Sequence, residues 1–472
     1  MKEKISIHWF RKDLRLKDNP SLNYLIEKGY PIIFIYIHDE INADRPLGSA
    51  SKVWLYHSLD FLNKHLNGKL IFFKGQSLKI FHNLDKMFDI QTISWNRCYE
   101  PWMIRRDKKI KESLKDKVED IRSFNGSLLS EPWEILKDDG TPYRVFTPYY
   151  KKVCLKQKNI RKPKTKKVKF FDHSYDCDSL ETLELMPKKK WASSLISSWK
   201  IGEYFANQKM VSFFKNGMNN YKEGRDFPSR NNVSRLSPYI HWGQISTNTL
   251  WHNIDKFRNY ILKGDIEKFK SQLGWREFSY YLLYHFPYMN EENFQKKFDK
   301  FIWKSDDNYI SKWTKGRTGF PIVDAGMREL WNTGFMHNRV RMIVGSFFSK
   351  NLLHHWKNGE EWFWDCLFDA DLANNSVSWQ WIAGTGVDAA PFFRIFNPVI
   401  QGQKFDPNGE YIKKYVPELK KLPLKYLFRP WDCPSDICQK IDFKKGFDYP
   451  NPIVDLKRSR EKALSLFLSL KK

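Results

Sequence analysis

The sequence has little cysteine and no long apolar run. Its six cysteines are scattered along 472 residues, and no two of them form a C-x-x-C pair. This spacing excludes a disulfide framework and a structural zinc site, so we expect no metal. No apolar stretch approaches the ~18 residues of a membrane-spanning helix, and Met1–Asp18 lacks the apolar centre of a signal peptide. We therefore predict a soluble, cytoplasmic protein with no membrane partner.

Negative charge is also scarce. The chain has 54 Asp and Glu residues against 80 Lys and Arg residues, which gives a net charge of +26. Such a surplus has to lie on the surface, where it attracts polyanions, most often nucleic acid. The compositional bias of an AT-rich genome would produce the same surplus, so the charge alone leaves nucleic-acid binding open.

Strands and helices alternate in the first part of the chain. Short apolar, β-branched or aromatic runs recur, separated by the helix-like stretches Ser51–Leu66 and Pro101–Lys117. This alternation predicts an α/β domain with a doubly wound parallel sheet over residues 1–133. Ligands of such sheets bind beyond the carboxyl ends of the strands. The five predicted strands are Ile5–Phe10, Ile32–Ile37, Leu70–Phe73, Thr92–Trp95 and Ile121–Phe124.

Helical spacing of apolar residues dominates the rest of the chain. The basic, proline-containing segment Lys156–Lys167 lacks apolar periodicity and marks a predicted linker over residues 134–195. Beyond it strand signals nearly vanish, which predicts an all-α domain over residues 196–472. Ser246 is a potential N-cap that would divide the first of its helices in two. The predicted helices are Tyr239–Arg258, Ile266–Phe286, Val323–Asn332 and Arg339–Asn358.

Two segments carry polar side chains that packing alone does not explain. Ser234–Pro238 places two hydroxyls and a guanidinium before a predicted helix, which suits a phosphate, although an ordinary helix start gives the same pattern. Between Trp356 and Pro398, carboxylates and amides lie among tryptophans, and such groups are costly to bury unless they are paired. We therefore predict a functional site there. Gly384–Ala389 fits the dinucleotide-binding pattern G-x-G-x-x-A but lacks a βαβ context, so we interpret it as a turn.

Seven segments of the sequence match, in the same order, the motifs of one protein family. They are Trp9–Pro20, Ser234–Pro238, Trp275–Phe278, Thr318–Met327, His337–Met342, Asp369–Trp381 and Phe393–Pro398. In this order they resemble the motifs of the photolyase/cryptochrome family. The resemblance extends from Lys4 to about Asp455 and so covers both predicted domains. It implies an N-terminal domain that binds a light-harvesting antenna and a helical domain that binds FAD.

The resemblance implies a light-driven DNA repair enzyme. In this family FAD lies folded inside the helical domain, and reduced FAD under blue light donates the electron that splits a cyclobutane pyrimidine dimer. The dimer has to leave the DNA helix to reach the flavin, so UV-damaged DNA is the expected partner. We expect a monomer without an obligate protein partner. Asn96–Trp102 resembles the antenna-proximal segment of relatives that use 5,10-methenyltetrahydrofolate, and a deazaflavin antenna stays open.

The family register assigns the cofactor contacts. Residues 234–237 would hold the pyrophosphate, although Val233 replaces the hydroxyl residue of many relatives. Asp369 and Arg341 would form a buried pair beside the flavin, and a cofactor can satisfy the remaining hydrogen bonds of such a pair. Asn375 would accept a hydrogen bond from flavin N5. The expected FAD-binding residues are Tyr221, Ser234, Arg235, Leu236, Ser237, Phe269, Arg276, Arg341, Asp369, Asp371 and Asn375.

The same register assigns the catalytic and lesion-binding residues. Trp379, Trp356 and Trp303 occupy the places of a relay that carries an electron from the surface to oxidised flavin, although core packing would explain each tryptophan alone. With Asn375 they are the expected catalytic residues. The expected DNA- and lesion-binding residues, among them two tryptophans that would clamp the dimer, are Arg225, Gln272, Trp275, Asn338, Arg339, Met342, Trp381 and Gln401.

Two other functions of the family compete with cyclobutane dimer repair. A (6-4) photolyase usually has a proton-donating histidine where this chain has Met342, and methionine cannot donate a proton. Gln272 points the other way, because many cyclobutane enzymes have a glutamate there and glutamine occurs in (6-4) enzymes. The third candidate is a cryptochrome, a light sensor that often has a long C-terminal tail. The end of the chain at Lys472 and the positive charge favour the repair enzyme.

Overall fold

A five-stranded parallel sheet forms the first part of the computed structural model, which describes residues 2–41, 43–155, 160–169, 177–187 and 191–470. The strand order is β3-β2-β1-β4-β5, and every neighbouring pair is parallel. This confirms the predicted doubly wound sheet, and the order of the strands reverses between β1 and β4. The strands are β1 Lys4–Phe10, β2 Ile32–His38, β3 Leu70–Lys74, β4 Asp89–Asn96 and β5 Asp120–Phe124.

The sheet is covered on both faces, which explains its nearly continuous apolar runs. All seven residues of β2 are buried. Ile7, Ile35, Ile93 and Trp95 belong to one core cluster. Strands that are buried on both faces lack the polar–apolar alternation of a half-exposed sheet. The helices that connect the strands are α1 Pro20–Lys28, α2 Ser49–His65, α3 Ser77–Met87 and α4 Pro101–Leu114.

Helices make up the regular structure of the remaining described chain, as predicted. The described residues contain no named strand after β5. Up to the end of the longest helix, the helices are α5 Phe146–Tyr150, α6 Trp191–Ile196, α7 Glu203–Ser212, α8 Tyr221–Gly224, α9 Ser237–His241, α10 Thr247–Asn253 and α11 Lys263–His285. The others are α12 Asp307–Thr314, α13 Pro321–Thr333, α14 Asn338–Ser346, α15 Trp356–Cys366, α16 Leu372–Ala383, α17 Pro398–Phe405, α18 Glu410–Tyr415, α19 Leu424–Leu427, α20 Ser435–Lys440 and α21 Leu456–Ser469.

The chain divides into two compact units. The sheet unit comprises residues 1–218, 234–287 and 368–373, and the helical unit comprises residues 219–233, 288–367 and 374–472. The predicted boundaries after residues 133 and 195 stay predictions. Residues 156–159, 170–176 and 188–190 of the predicted linker lie outside the described residues.

Two predicted helix boundaries have different outcomes. Ser246 does cap α10, because its hydroxyl accepts a hydrogen bond from Thr249 N at 2.9 Å. The prediction of a single helix over Arg339–Asn358 is wrong. Helix α14 ends at Ser346, Leu353 has a φ of 62°, and His355 caps the new helix α15. Apolar spacing continues through this break because both helices bury a face, so periodicity alone does not reveal it.

Within the described part of the chain, no helix is both long enough and apolar enough to cross a membrane. The same residues contain no group of three or more His, Cys, Asp or Glu side chains arranged to hold a metal ion.

We predict that Gly243→Ala destabilises the sheet unit. Gly243 has a φ of 64°, and an added Cβ would lie 2.1 Å from the carbonyl oxygen of Lys12. Strain and clash together should lower the free energy of unfolding by at least about 2 kcal/mol, measured by thermal or denaturant unfolding. The matched control is Gly264→Ala in α11, where nothing lies within 4 Å of an added Cβ. Equal effects of the two changes would contradict the prediction.

Candidate functional site

The turn at residues 234–237 of the sheet unit has a backbone that suits an anion. Arg235 has a left-handed φ of 52°, and Leu236 follows in the right-handed helical region at φ −88° and ψ −10°. Two such residues in succession turn their N–H groups toward the same concavity, which binds anions. The Ser234 hydroxyl accepts a hydrogen bond from Leu236 N at 3.3 Å and fixes the turn. The predicted phosphate-binding residues therefore lie in a turn of the kind that binds anions, although the Leu236 N–H already has Ser234 as a partner.

The carboxylate of Asp371 is held by donors of the sheet unit. It is buried, and it accepts hydrogen bonds from Tyr280 Oη and from His241 Nδ1 at 3.4 Å. Burial alone would raise the pKa of Asp371, but the hydrogen bond to His241 and the positive charges of Lys12 and Arg276 hold it well below the usual range. Asp371 therefore stays ionised without any ligand.

His241 and Tyr280 contact a predicted site residue, Asp371, but were not themselves predicted. The His241 Nε2 atom is buried and has no hydrogen-bond partner among the described residues, so it can meet a polar atom of a ligand. Helical spacing could have identified both side chains. His241 lies one turn after Ser237 in α9, and Tyr280 lies one turn after Arg276 in α11.

Asn375 is oriented by a buried glutamate of the helical unit. Its Nδ2 donates to the backbone oxygen of Glu360 at 3.0 Å and to Glu360 Oε1 at 2.7 Å. Because the amide nitrogen has to face these acceptors, the amide oxygen faces away from them. This leaves an uncharged acceptor, as expected of a residue opposite flavin N5. Glu360 was not predicted, and no motif in the sequence marks it.

The three predicted relay tryptophans all lie in the helical unit. Trp379 and Trp356 are buried, and Trp303 is half-buried. Trp356 Nε1 donates to Asn293 Oδ1 at 2.8 Å, whereas Trp379 Nε1 is buried without a partner among the described residues. The ring of Trp379 packs on Gly359, where an added Cβ would lie 2.2 Å from it. The relay itself stays a prediction.

A basic cavity of the helical unit brings Arg339 and Gln401 together. It has a volume of about 300 Å³. Arg339 pairs with Asp226 at 2.7 Å and lies 4.3 Å from the ring centroid of Phe405. Two exposed cations, Arg394 and Lys404, also line it. The cavity therefore offers several cationic groups to an anionic ligand.

Other predicted lesion-binding residues of the helical unit lie in or near α14. Asn338 is exposed, and its Nδ2 lies 3.8 Å from the sulfur of half-buried Met342. His337 caps α14, since its Nδ1 accepts from Arg339 N at 3.1 Å. Burial, aided by the charge of Arg225, lowers the pKa of His337 to about 3. A neutral histidine and a methionine supply no acid here. Trp381 is half-buried in α16.

Trp275 is fixed by a residue outside the predicted site. In the sheet unit its ring stacks on Phe146 with centroids 3.8 Å apart and planes 7° apart. Phe146 lies in the predicted linker, and no motif marks it as a partner of Trp275. Gln272, one helical turn before Arg276, is half-buried, and its Nε2 donates to Ser271 Oγ at 3.2 Å.

The remaining predicted flavin-binding residues have protein partners. Arg276 donates to Ser127 O at 2.8 Å, and Arg341 donates to Met336 O at 2.8 Å. Tyr221 and Phe269 are buried, and Asp369 is half-buried. The Asp369–Arg341 pair joins residues of different units and stays a prediction.

Paired charges occupy the carboxyl ends of β1 and β4 in the sheet unit. Lys12 pairs with Glu100, and Arg11 donates to both carboxylate oxygens of Asp107, at 2.8 and 2.6 Å. Asn96 also donates to Asp13 Oδ2 at 2.6 Å. Asn96 and Glu100, in the segment that resembles an antenna site, thus have protein partners, and the antenna stays a prediction.

Comparison with known proteins covers both units. Residues 6–168 match the family model described as DNA photolyase, and residues 269–469 match the model described as FAD binding domain of DNA photolyase. The chain is 42% identical to a deoxyribodipyrimidine photo-lyase of Agrobacterium fabrum, over 99% of this chain and 98% of the relative. It is 34% identical to cryptochrome-1 of Arabidopsis thaliana, over 96% of this chain and 69% of the relative. The crystal structure of a bacterial class III photolyase from Agrobacterium tumefaciens aligns with a TM-score of 0.96 at 42% identity, over 100% of this chain and 98% of that one.

We predict that Glu277→Gln removes a pH-dependent loss of stability. Glu277 is buried beside Arg276 and accepts from Leu129 N at 2.7 Å, and burial raises its pKa to about 7. The folded state then holds a proton that the unfolded state releases, so stability falls between pH ~4.5 and ~7, by about 3 kcal/mol in total, and is constant above that range. Denaturant unfolding at pH 5 and pH 8 should show this fall in the wild type and not in the variant.

The exposed Glu134 offers a matched control, because Glu134→Gln removes the same charge from the surface. If Glu277→Gln and Glu134→Gln had the same pH dependence, the buried carboxyl would not be the source of the effect.

Proposed function

The chain belongs to the photolyase and cryptochrome family, and we propose that it is a deoxyribodipyrimidine photo-lyase, a carbon–carbon lyase that uses blue light to split cyclobutane pyrimidine dimers in DNA. The observation that carries this proposal is the basic cavity that contains Arg339 and Gln401. A repair enzyme has to bind the DNA backbone, and guanidinium groups suit phosphate.

FAD is the proposed cofactor. When bound, reduced FAD would supply one electron under light to the dimer flipped out of the helix and recover it after the ring opens, so the net reaction is redox-neutral. The anion-binding turn at residues 234–237 would hold the pyrophosphate. Asp371 and Asn375 would each face the flavin with a side chain that the protein already orients. Tyr221, Phe269, Arg276, Arg341 and Asp369 complete the proposed set.

The protein's own side chains would select the lesion. Arg225, Arg339 and Gln401 bind phosphate, and the half-buried rings of Trp275 and Trp381 contact the apolar dimer. Flipping costs least for a damaged, poorly stacked pair, which favours the lesion over normal bases. Since the ring opens by electron transfer, no acid, base or nucleophile is required of these residues.

The finer assignments belong to the same proposal. Trp379, Trp356 and Trp303 would relay electrons to oxidised flavin and so restore its reduced form. 5,10-Methenyltetrahydrofolate is the proposed antenna, with a deazaflavin as the alternative. We also propose a monomer that works in the cytoplasm without an obligate protein partner.

A (6-4) photolyase is the second candidate because of Gln272. Its amide can pair with a pyrimidine edge in either lesion. The helical unit argues against this candidate, since Met342 cannot donate a proton and His337 is neutral at physiological pH.

The decisive experiment is repair of a defined thymine cyclobutane dimer by the purified, reduced protein under blue light. A dark sample and a (6-4) substrate are the controls. We expect light-dependent repair of the cyclobutane substrate alone. Repair of only the (6-4) lesion would favour the second candidate, and repair of neither by a flavin-loaded, photoreducible protein would favour a sensor.

We predict that Trp275→Ala weakens binding of dimer-containing DNA while FAD stays bound. Loss of one aromatic contact with a base costs about 1–3 kcal/mol, or roughly 5- to 150-fold in affinity. The affinities for damaged and undamaged duplexes are measured by fluorescence anisotropy. The ratio of the two affinities should be smaller for the variant than for the wild type. Trp133→Ala is the control, because Trp133 is an exposed tryptophan of the same unit. An equal loss on both duplexes would remove Trp275 from the lesion pocket.

A further inference from the structure

A histidine lies between two of the proposed relay tryptophans. The ring of His355 is 5.3 Å from that of Trp303, edge-on at 82°, and 5.4 Å from that of Trp356, tilted by 34°. All three residues belong to the helical unit. The family resemblance identifies the three tryptophans as a relay. It does not predict an imidazole in contact with two of them.

The position of His355 is fixed by its backbone role. Its Nδ1 accepts a hydrogen bond from Lys357 N at 3.2 Å and caps helix α15. The side chain is half-buried, so protons from solvent can still reach it. Burial and the positive charge of Lys357 lower its pKa, while Asp299 acts in the opposite direction. Burial and Lys357 therefore favour the neutral imidazole at physiological pH, and so does the hydrogen bond that Nδ1 accepts, since a charged imidazole would have to carry a proton there.

The two charged groups that shift the pKa of His355, Lys357 and Asp299, have partners of their own. Lys357 pairs with Glu291 at 2.6 Å, so its own charge is partly balanced. Asp299 accepts from Asn293 Nδ2 at 2.8 Å, and Asn293 in turn accepts from Trp356 Nε1. Lys304 and Asp306, which follow Trp303, act on the neighbouring His354. His355 is thus the titratable side chain in direct ring contact with both tryptophans.

We propose that His355 controls electron transfer through Trp356 and Trp303: the neutral imidazole lets positive charge reach this pair, and the protonated imidazole keeps it away. The inference rests on the relay of the proposed function. At ring distances near 5 Å, repulsion between two positive charges changes the population of the charged pair about fourfold with the screening of bulk water, and more than about a hundredfold with the weaker screening near a protein surface.

The electron count is simple. FAD, when bound in its oxidised form, would supply the light-dependent electron acceptor; in the proposed relay Trp379 would lose one electron and take one from Trp356, which would take one from Trp303. No bond forms or breaks in these steps, and an external thiol finally returns one electron to Trp303. The Nε1 atom of Trp303 is buried and has no hydrogen-bond partner among the described residues, so the oxidised ring keeps its proton and its positive charge. That charge then lies beside His355.

The test uses the flavin-loaded, dark-oxidised protein with a thiol reductant. The initial rate of flavin photoreduction is measured from about pH 8 to about pH 5, the range in which histidine titrates. The variants are His355→Asn, whose amide can still cap α15, and His355→Phe, which keeps a ring between the tryptophans. The matched control is His354→Phe at the adjacent buried histidine, which stacks on Phe348.

We expect the wild-type rate to fall by at least about fourfold as His355 becomes protonated at low pH, and both His355 variants to keep their pH 8 rate within about twofold. The His354 control should behave like the wild type. An independent readout is the imidazole resonance of His355, followed by NMR in the dark. Its titration midpoint should coincide with the midpoint of the wild-type rate profile.

The outcomes separate this inference from the relay. If Trp303→Phe and Trp356→Phe leave photoreduction unchanged, the relay assignment is wrong and the inference fails with it. If those two variants slow photoreduction while the His355 variants keep the wild-type pH profile, the inference alone is overturned. A His355 titration midpoint far from that of the rate profile would also overturn it.

Discussion

The close approach of helices α15 and α16 at Gly359 is the constraint on which the candidate site of the helical unit depends. Any side chain at this position would collide with the ring of Trp379, since even a Cβ would lie 2.2 Å from it. Glycine therefore sets the separation of the two helices and the depth of that indole. The next residue, Glu360, can then reach Asn375, and one turn earlier His355 begins the helix beside the other tryptophans.

Buried carboxylates orient the proposed flavin-facing groups in both units by the same physical means. Glu360 fixes the amide of Asn375, and Asp371 takes donors from Tyr280 and His241. An unpaired buried carboxylate would be strongly destabilising, so these partners have to be in place in the folded chain. What each arrangement leaves over is an uncharged polar atom, namely an amide oxygen or an imidazole nitrogen. Such atoms can meet a flavin without a change in the net charge of the site, and they need no rearrangement to do so.

The sequence predicts the fold far better than the supporting contacts of the site. Strand runs such as Ile32–Ile37 are periodic and local, and the structure confirms all five of them. The break at Leu353 escapes prediction because apolar spacing does not register a left-handed residue. Glu360 and Phe146 escape it for another reason: each acts on a residue outside its own helix. Motif register identifies the side chains that would touch a ligand, whereas the groups that hold them are set by packing.

Charge and shape have separate parts in the proposed recognition of DNA. The net charge of +26 attracts any polyanion, and cations such as Arg339 and Lys404 around the basic cavity concentrate that attraction locally. Phosphates are the same in damaged and intact DNA, so electrostatic attraction to the backbone cannot distinguish a lesion. Discrimination between a dimer and intact bases has to come from half-buried apolar side chains that contact the bases. The ring of Trp275 is suited to this, because its stack on Phe146 fixes its plane before any ligand arrives. A preordered aromatic surface costs little entropy on binding, so the energy of the dimer contact is available for selectivity.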